Sequence, residues 1–286
     1  GSEDVLDYLR GDQSNEVSNG GTLRDRETLL GDIVNSSPVF MGTPPFNYPD
    51  NWNGDSTEPE DASPYSTFVA DNDDRASLIY VGANDGMLHG FDAESGEEEM
   101  AYVPSPVFEN LNELTETDYA HRYFVDGSPT VGDAYFDDAW HTVLAGGLNK
   151  GGQGIYALDV TSASFSESDA DAASTVLWEF TDADDADLGY TYSQPTIVRL
   201  YNGRWAAIFG NGYNNTRADG NASSTGHAVL YIVDIEDGSL IKKIDTGVGS
   251  TTTPNGLATV SPVDLDGDYI VDRVYAGDLQ GNLWRF

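Results

Sequence analysis

The feature that most limits what this chain can fold into is an internal repeat. Four times a Ser/Pro pair leads into a short apolar run: Ser37-Pro38-Val39-Phe40, Ser128-Pro129-Thr130-Val131, Ser193-Gln194-Pro195-Thr196-Ile197-Val198 and Ser261-Pro262-Val263. Proline suits the first residue of a strand, where its missing N–H leaves no ladder bond open. In each copy a second apolar run follows and ends in glycine, over 78–82, 142–146, 206–210 and 273–277. A third run covers 87–92, 154–159, 229–234 and 282–286. It ends in Asp92, Asp159 and Asp234 in the first three copies, and turn residues such as Glu94-Ser95-Gly96 and Glu236-Asp237-Gly238 come next. Fourth strands are expected at 177–180 and 240–244. Three or four short antiparallel strands per copy make one blade of a β-propeller, so the fold class is all-β.

Pro129, Pro195 and Pro262 are spaced 66 and 67 residues apart. A WD-type blade takes only about 40–45 residues. The expected fold is therefore a modified propeller with long inter-strand loops, at 43–76, 211–226 and 164–174. Loops of such length are commonly functional or mobile. Residues 1–286 read as one propeller-type domain, with a short helix over 4–9. A propeller must close its ring or leave strand edges open. The last copy reaches Phe286 before any Asp turn, so either the N-terminal segment supplies a missing strand or the ring is incomplete.

Charge narrows the partners. The formal net charge is −36, from 49 acidic and 13 basic residues. Such a chain repels nucleic acid and anionic membranes. Lysine is scarce (Lys150, Lys242 and Lys243), and an acidic, lysine-poor surface suits a high-salt source, where self-repulsion is screened. The absence of cysteine removes disulfides, thiolate metal sites and thiol catalysis. No apolar run approaches the roughly 18 residues of a membrane span. The opening Gly1-Ser2 reads as an expression scar, so a natural leader is expected to have been removed.

The strongest chemical signal is Asp264-Leu265-Asp266-Gly267-Asp268-Tyr269-Ile270-Val271-Asp272. Ca²⁺ takes six to eight oxygen ligands, and alternate residues of a loop can supply several of them. Asp264, Asp266 and Asp268 would give side-chain oxygens, Ile270 its backbone carbonyl, and Asp272 would close the shell. The stretch is not an EF-hand, because its glycine is at the fourth position, no glutamate stands at the twelfth, and the flanks read as strands. The competing reading is an ordinary solvated turn in an acid-rich chain.

Five blocks, in order, resemble one family. They are Gly31-Asp32-Ile33-Val34-Asn35-Ser36-Ser37-Pro38, then Tyr80-Val81-Gly82-Ala83-Asn84-Asp85-Gly86-Met87-Leu88-His89-Gly90-Phe91, then Gly154-Ile155-Tyr156-Ala157-Leu158-Asp159-Val160-Thr161, then Gly210-Asn211-Gly212-Tyr213, and Val274-Tyr275-Ala276-Gly277-Asp278-Leu279-Gln280-Gly281-Asn282-Leu283-Trp284. The chain resembles the C-terminal propeller domain of the PilC/PilY type IV pilus biogenesis factors, the pilus-tip-associated adhesins. The resemblance implies a modified, quinoprotein-like propeller with Ca²⁺ in an Asp-rich loop, mapping onto Asp264, Asp266, Asp268, Ile270 and Asp272. It also implies a non-enzymatic role in pilus assembly, in the balance of extension and retraction, and in surface attachment. Pilins or minor pilins and host-cell surfaces would be the partners, and the location would be the pilus tip or outer-membrane surface after periplasmic export.

Other motifs are weaker. Arg10-Gly11-Asp12 is an adhesive tripeptide read by integrins, or simply the turn ending a short helix. The acidic run 182–187 is either a second cation site or a solvated charge run, and Asp71-Asn72-Asp73-Asp74 reads likewise. His89, His121, His141 and His227 have no metal-ligand spacing, and His89 reads as packed or hydrogen-bonded. Trp178, Trp205 and Trp284 read as core. Two functions of other classes remain open: a quinone-cofactor dehydrogenase, for which the chain is short and lacks a cysteine pair, and a lectin-like propeller using exposed aromatics such as Trp52.

Overall fold

The computed structural model describes residues 3–52, 58–217 and 220–286, so Gly1-Ser2 and parts of 43–76 and 211–226 lie outside the described residues. The repeat becomes four antiparallel meanders. The first blade is β1 (Val39–Met41), β2 (Leu78–Gly82), β3 (Leu88–Asp92) and β4 (Glu98–Tyr102). The second is β5 (Thr130–Phe136), β6 (Ala139–Gly147), β7 (Gly154–Asp159) and β8 (Val176–Thr181). The third is β9 (Thr196–Arg199), β10 (Trp205–Gly210), β11 (His227–Asp234) and β12 (Leu240–Gly249). The fourth has three strands among the described residues: β13 (Ser261–Val263), β14 (Arg273–Gly277) and β15 (Leu283–Arg285). Neighbouring blades pack through their first strands, β1 on β5, β5 on β9 and β9 on β13, and among the described residues the fourth blade has no such packing on the first, so the ring is open. The N-terminal segment does not complete it. Its helix α1 (Glu3–Leu9) instead packs on the 3-10 stretch Ser105–Thr115, where the Tyr8 hydroxyl donates to the Leu114 carbonyl at 3.2 Å.

Burial explains why the middle strands read as continuous apolar runs. Each has neighbours on both faces, so alternate residues belong to different interfaces. On β10, Ala207 and Phe209 face the second blade, and Ile208 faces the fourth. On β7, Tyr156 and Leu158 pack toward the first blade, and Ile155 and Ala157 toward the third. The β4 strand, Glu-Glu-Met-Ala-Tyr, is an addition to the sequence reading. Only Met100 is buried on it, so its outer edge carries almost no apolar signal.

The aspartate closing each third strand has a fixed task. Asp92, Asp159 and Asp234 each accept the N–H two residues ahead, from Glu94, Thr161 and Glu236 at 3.1, 2.9 and 2.9 Å. Just before each aspartate the pairing with the fourth strand slips, at Gly90/Phe91, Ala157/Leu158 and Ile232/Val233. The Ser/Pro lead-ins stitch blades together. The Ser37 N–H donates to Ser128 Oγ at 2.9 Å, and the Gln194 amide donates to the Pro129 carbonyl at 3.1 Å. Ser36 and Ser193 take the N–H groups of Gly82 and Gly210, which end the second strands of their own blades.

The insert between β1 and β2 carries a second helix, α2 (Tyr65–Asp71), and a 3-10 turn, Pro59–Ala62. It lies across several blades. Trp140 of β6 donates its indole N–H to the Ser63 carbonyl at 2.8 Å, and the Tyr65 hydroxyl donates to Asp133 of β5 at 2.5 Å. Burial pushes the Asp133 carboxyl up, and this outweighs the hydrogen bonds from Tyr65 and Thr142. The deepest tie is ionic. Arg199, at the end of β9, is 2 % exposed and donates Nε to Glu60 at 2.8 Å and Nη2 to Glu58 at 2.9 Å. Its guanidinium also stands 4.3 Å from the centre of the Trp52 ring. Trp52 is thus packed inside the insert, not an exposed platform.

Removing one member of this buried pair leaves the other unpaired, which costs about 3–5 kcal/mol. Arg199→Met is therefore expected to lower the unfolding free energy by about that amount in urea titrations. The double variant Arg199→Met/Glu60→Gln should recover part of it. Equal stability of Arg199→Met and the parent would remove the pair from any structural role.

Candidate metal site

The connection from β13 to β14 holds the Asp-rich loop. Asp264 organises it. Its Oδ1 accepts the N–H groups of Asp266 at 3.2 Å and Gly267 at 2.7 Å, and its Oδ2 accepts that of Tyr269 at 2.8 Å. Asp268 Oδ1 takes the Ile270 N–H at 2.8 Å, and Asp272 Oδ2 reaches back to the Leu265 N–H at 2.7 Å. Two left-handed residues let the chain fold this tightly, Gly267 at φ 82° and Tyr269 at φ 67°. The second costs roughly 1–2 kcal/mol for a residue with a side chain. Aromatic packing offsets it, since the Tyr269 ring sits edge-on to Tyr48 at 5.3 Å and to Trp52 at 6.4 Å. Such pairs contribute about 0.5–1.5 kcal/mol each.

The loop is also tied to its neighbours. Val271 donates its N–H to the carbonyl of Arg199 at 3.0 Å, and Asp272 donates to Val263 at 3.0 Å. The insert, the third blade and the Asp-rich loop therefore meet at Arg199.

Carboxylate oxygens of Asp264, Asp266 and Asp268 lie within 4.8 Å of one another, and all three residues are exposed. Asp272 is not in that trio, but its charge helps raise the Asp266 pKa. Repulsion from Asp268 is the largest cause of that rise, with desolvation next and Asp272 and Asp264 behind. Asp264 moves the other way. Its slight desolvation raises the pKa, but the backbone N–H groups of Gly267, Tyr269, Asp268 and Asp266 outweigh it and hold the carboxyl below the usual value. The donor set is all oxygen and strongly negative, which is the chemistry a hard divalent cation requires. Ile270 stands beside Arg199 in a one-residue parallel bridge, which fixes its backbone at the edge of this cluster.

Other sequence candidates fall into place. Arg10-Gly11-Asp12 forms the turn that ends α1, with Arg10 bonded to Glu167 at 2.6 Å and Asp12 Oδ1 accepting the Ser14 N–H at 2.7 Å. The acidic run 182–187 is not a freely solvated face. The Lys243 ammonium sits between Asp185 and Asp187 at 2.7 Å from each, and Tyr231 donates to Asp185 at 2.9 Å. His89 is buried, with its ring nitrogens against Glu98 at 2.5 Å and Asp85 at 3.1 Å. Burial lowers the His89 pKa, but the two carboxylates outweigh it and raise it overall. Trp178 and Trp205 are core residues, and Trp284 packs half-buried against the cluster between the third and fourth blades. Sequence reading missed Tyr269, Arg199 and Glu60. The only signal was an aromatic residue inside an Asp loop and a Glu58-Pro59-Glu60-Asp61 run shaped like a helix start.

The family model described as the PilY1 beta-propeller domain matches residues 30–286. The chain belongs to this family. Among PilY1 relatives, it is 45% identical over 287 residues, 99% of its length, to the type IV pilus biogenesis factor PilY1 of Pseudomonas aeruginosa strain PAK. It is 45% identical over 296 residues to a PilY1 homolog of Xylella fastidiosa. The chain spans about a fifth of those relatives, 22% and 19% of their lengths. A solved structure, the C-terminal domain of Pseudomonas aeruginosa PilY1, superimposes with a TM-score of 0.67 at 42% identity, covering 86% of this chain and 44% of that one.

The opposite shifts in the loop give a direct expectation. In a carboxyl-carbon NMR titration of the metal-free protein, Asp264 should ionise below the ordinary value of 3.8 and Asp266 above it. The reverse order would show that the loop is not folded as described.

Proposed function

We propose that this chain is the calcium-responsive propeller segment of a type IV pilus biogenesis factor that acts outside the cell, at the pilus tip or outer-membrane surface. The supporting observation is 45% identity along 99% of the chain to proteins named as such factors. In this reading the propeller is not an enzyme. It contacts pilins or minor pilins and biases the pilus between extension and retraction. No observation favours the quinone-dehydrogenase reading.

The Asp-rich loop supplies the calcium response. Asp264, Asp266, Asp268 and Asp272, with the Ile270 carbonyl, would hold the ion, and its charge would relieve the repulsion that raises the Asp266 pKa. Ion binding at a hundredfold excess over Kd stabilises the bound form by about 2.7 kcal/mol. The loop shares Arg199 and Tyr269 with the insert, so that stabilisation reaches the whole end of the propeller on which they lie. Adhesion through Arg10-Gly11-Asp12 would require a receptor to displace the Arg10–Glu167 bridge, which is exposed and therefore weak.

Tb³⁺ should bind the loop and luminesce on excitation of Tyr269, its built-in antenna. Asp266→Asn should weaken that signal about tenfold or more without removing the bonds Asp264 and Asp272 make, and unchanged binding would discard the loop as the site. Replacing the matching segment of Pseudomonas aeruginosa PilY1 with this chain is expected to restore surface pili in a strain lacking that factor. A chimera that is made and exported but yields no pili would overturn the pilus assignment.

A further inference from the structure

The end of the blades opposite the Asp-rich loop carries the reverse electrostatics. There the segments leading into the second and third blades meet the loops that follow β6 and β10, enclosing a cleft of about 260 Å³. Arg122, Lys150 and Arg217 line it, three of the 13 lysines and arginines in a chain with 49 acidic residues. No Asp or Glu lines it among the described residues. Arg122 is bonded to Glu113 at 2.7 Å, which partly neutralises it from outside the cleft, and the His121 Nε2 lies 2.8 Å from Asp32. Lys150 and Arg217 are exposed and pair with no carboxylate among the described residues. The Lys150 ammonium rests 4.8 Å from the centre of the Tyr123 ring.

The walls are aromatic and fixed. Tyr190 and Tyr213 form a two-way backbone bridge, with the Tyr190 N–H donating to Tyr213 at 2.8 Å and the Tyr213 N–H returning at 3.3 Å. Gly212 permits this approach, since a Cβ there would stand 1.8 Å from the Tyr190 carbonyl oxygen, and its φ of 66° also favours glycine. The two rings are 6.3 Å apart, and the Tyr192 ring lies tilted against Tyr213 at 4.7 Å. All three tyrosines lining the cleft are half-buried, so each keeps part of its side chain at the surface.

We propose that this cleft binds an acidic sugar, a pyranose ring carrying a carboxylate. Lys150 and Arg217 meet the carboxylate, the tyrosine faces stack on the ring's C–H surface, and Asn214 and the phenolic hydroxyls serve its hydroxyl groups. The volume lies just below the roughly 300 Å³ at which drug-sized pockets begin, which suits one ring of a chain rather than a folded peptide. The low count of free cations argues the same way, because two positive groups match one carboxylate and not an acidic peptide run. The assignment is independent of the pilus and calcium readings.

The test uses the full chain freed of metal with EDTA, so that uronates cannot bridge through Ca²⁺ at the Asp-rich loop. Digalacturonate is titrated by calorimetry and by saturation-transfer NMR, with neutral galactobiose and inorganic sulfate as comparators. Digalacturonate is expected to bind, galactobiose to bind at least about tenfold more weakly, and Lys150→Ala or Arg217→Ala to weaken the acidic sugar about tenfold each. Both side chains are exposed, so the variants should melt with the parent, and Lys150→Glu/Arg217→Glu should abolish binding. No binding by the parent, or binding that survives the double reversal, overturns the site. Sulfate competing while the sugar ring gives no saturation transfer overturns the sugar and leaves a plain anion cleft.

Discussion

A guanidinium buried to 2 % exposure governs how this end of the molecule is assembled. Taking an ion of that size out of water costs several kcal/mol unless opposite charge and hydrogen bonds replace the lost hydration. Arg199 lies at the end of β9, and among the described residues no acid of its own blade bonds it. The insert from the first blade brings Glu58 and Glu60 to it, and Trp52 covers its face. The same residue's carbonyl receives Val271. One charge therefore dictates that the insert must cross the blades and that the loop of the fourth blade must be held beneath it.

Charge elsewhere follows the same rule. The chain is acidic overall, yet several carboxylates that turn inward are matched by a basic group, while Asp133 is held by the Tyr65 and Thr142 hydroxyls instead. Lys243 answers Asp185 and Asp187, Arg204 answers Asp234, and His89 is clasped by Asp85 and Glu98. Among the described residues, the carboxylates of the Asp-rich loop bond only backbone N–H groups, which sets them apart from the run at 182–187 with its Lys243.

The blades were legible because their strands are buried on both faces. Runs such as Ala206-Ala207-Ile208-Phe209-Gly210 have few polar positions to blur them, and the Ser/Pro starts and Asp ends mark their limits. The Asp-rich loop was legible for a different reason, since alternation of carboxylates is a local pattern that needs no tertiary partner. What could not be read depends on distant contacts. β4 is half-exposed, with one buried side chain, and α2 lies in a Pro/Asn/Asp-rich segment whose apolar residues serve other blades. The role of Glu60 exists only when a residue 139 positions away arrives beside it. The run at 182–187 looked solvated because Lys243, its partner, comes from the edge strand of the next blade.

The double-sided burial has a consequence for how the molecule comes apart. In stacked repeats each unit touches only its neighbours, and unfolding can proceed one unit at a time from an end. Here the insert of the first blade reaches past its neighbour, placing Tyr48 against Trp140 of the second blade, Trp205 of the third and Tyr269 of the fourth. Loss of any one blade strips contacts from a segment rooted in another. The blades are thereby tied from a row of semi-independent modules toward one cooperative unit, because loss of the second, third or fourth blade disturbs the strap that crosses them.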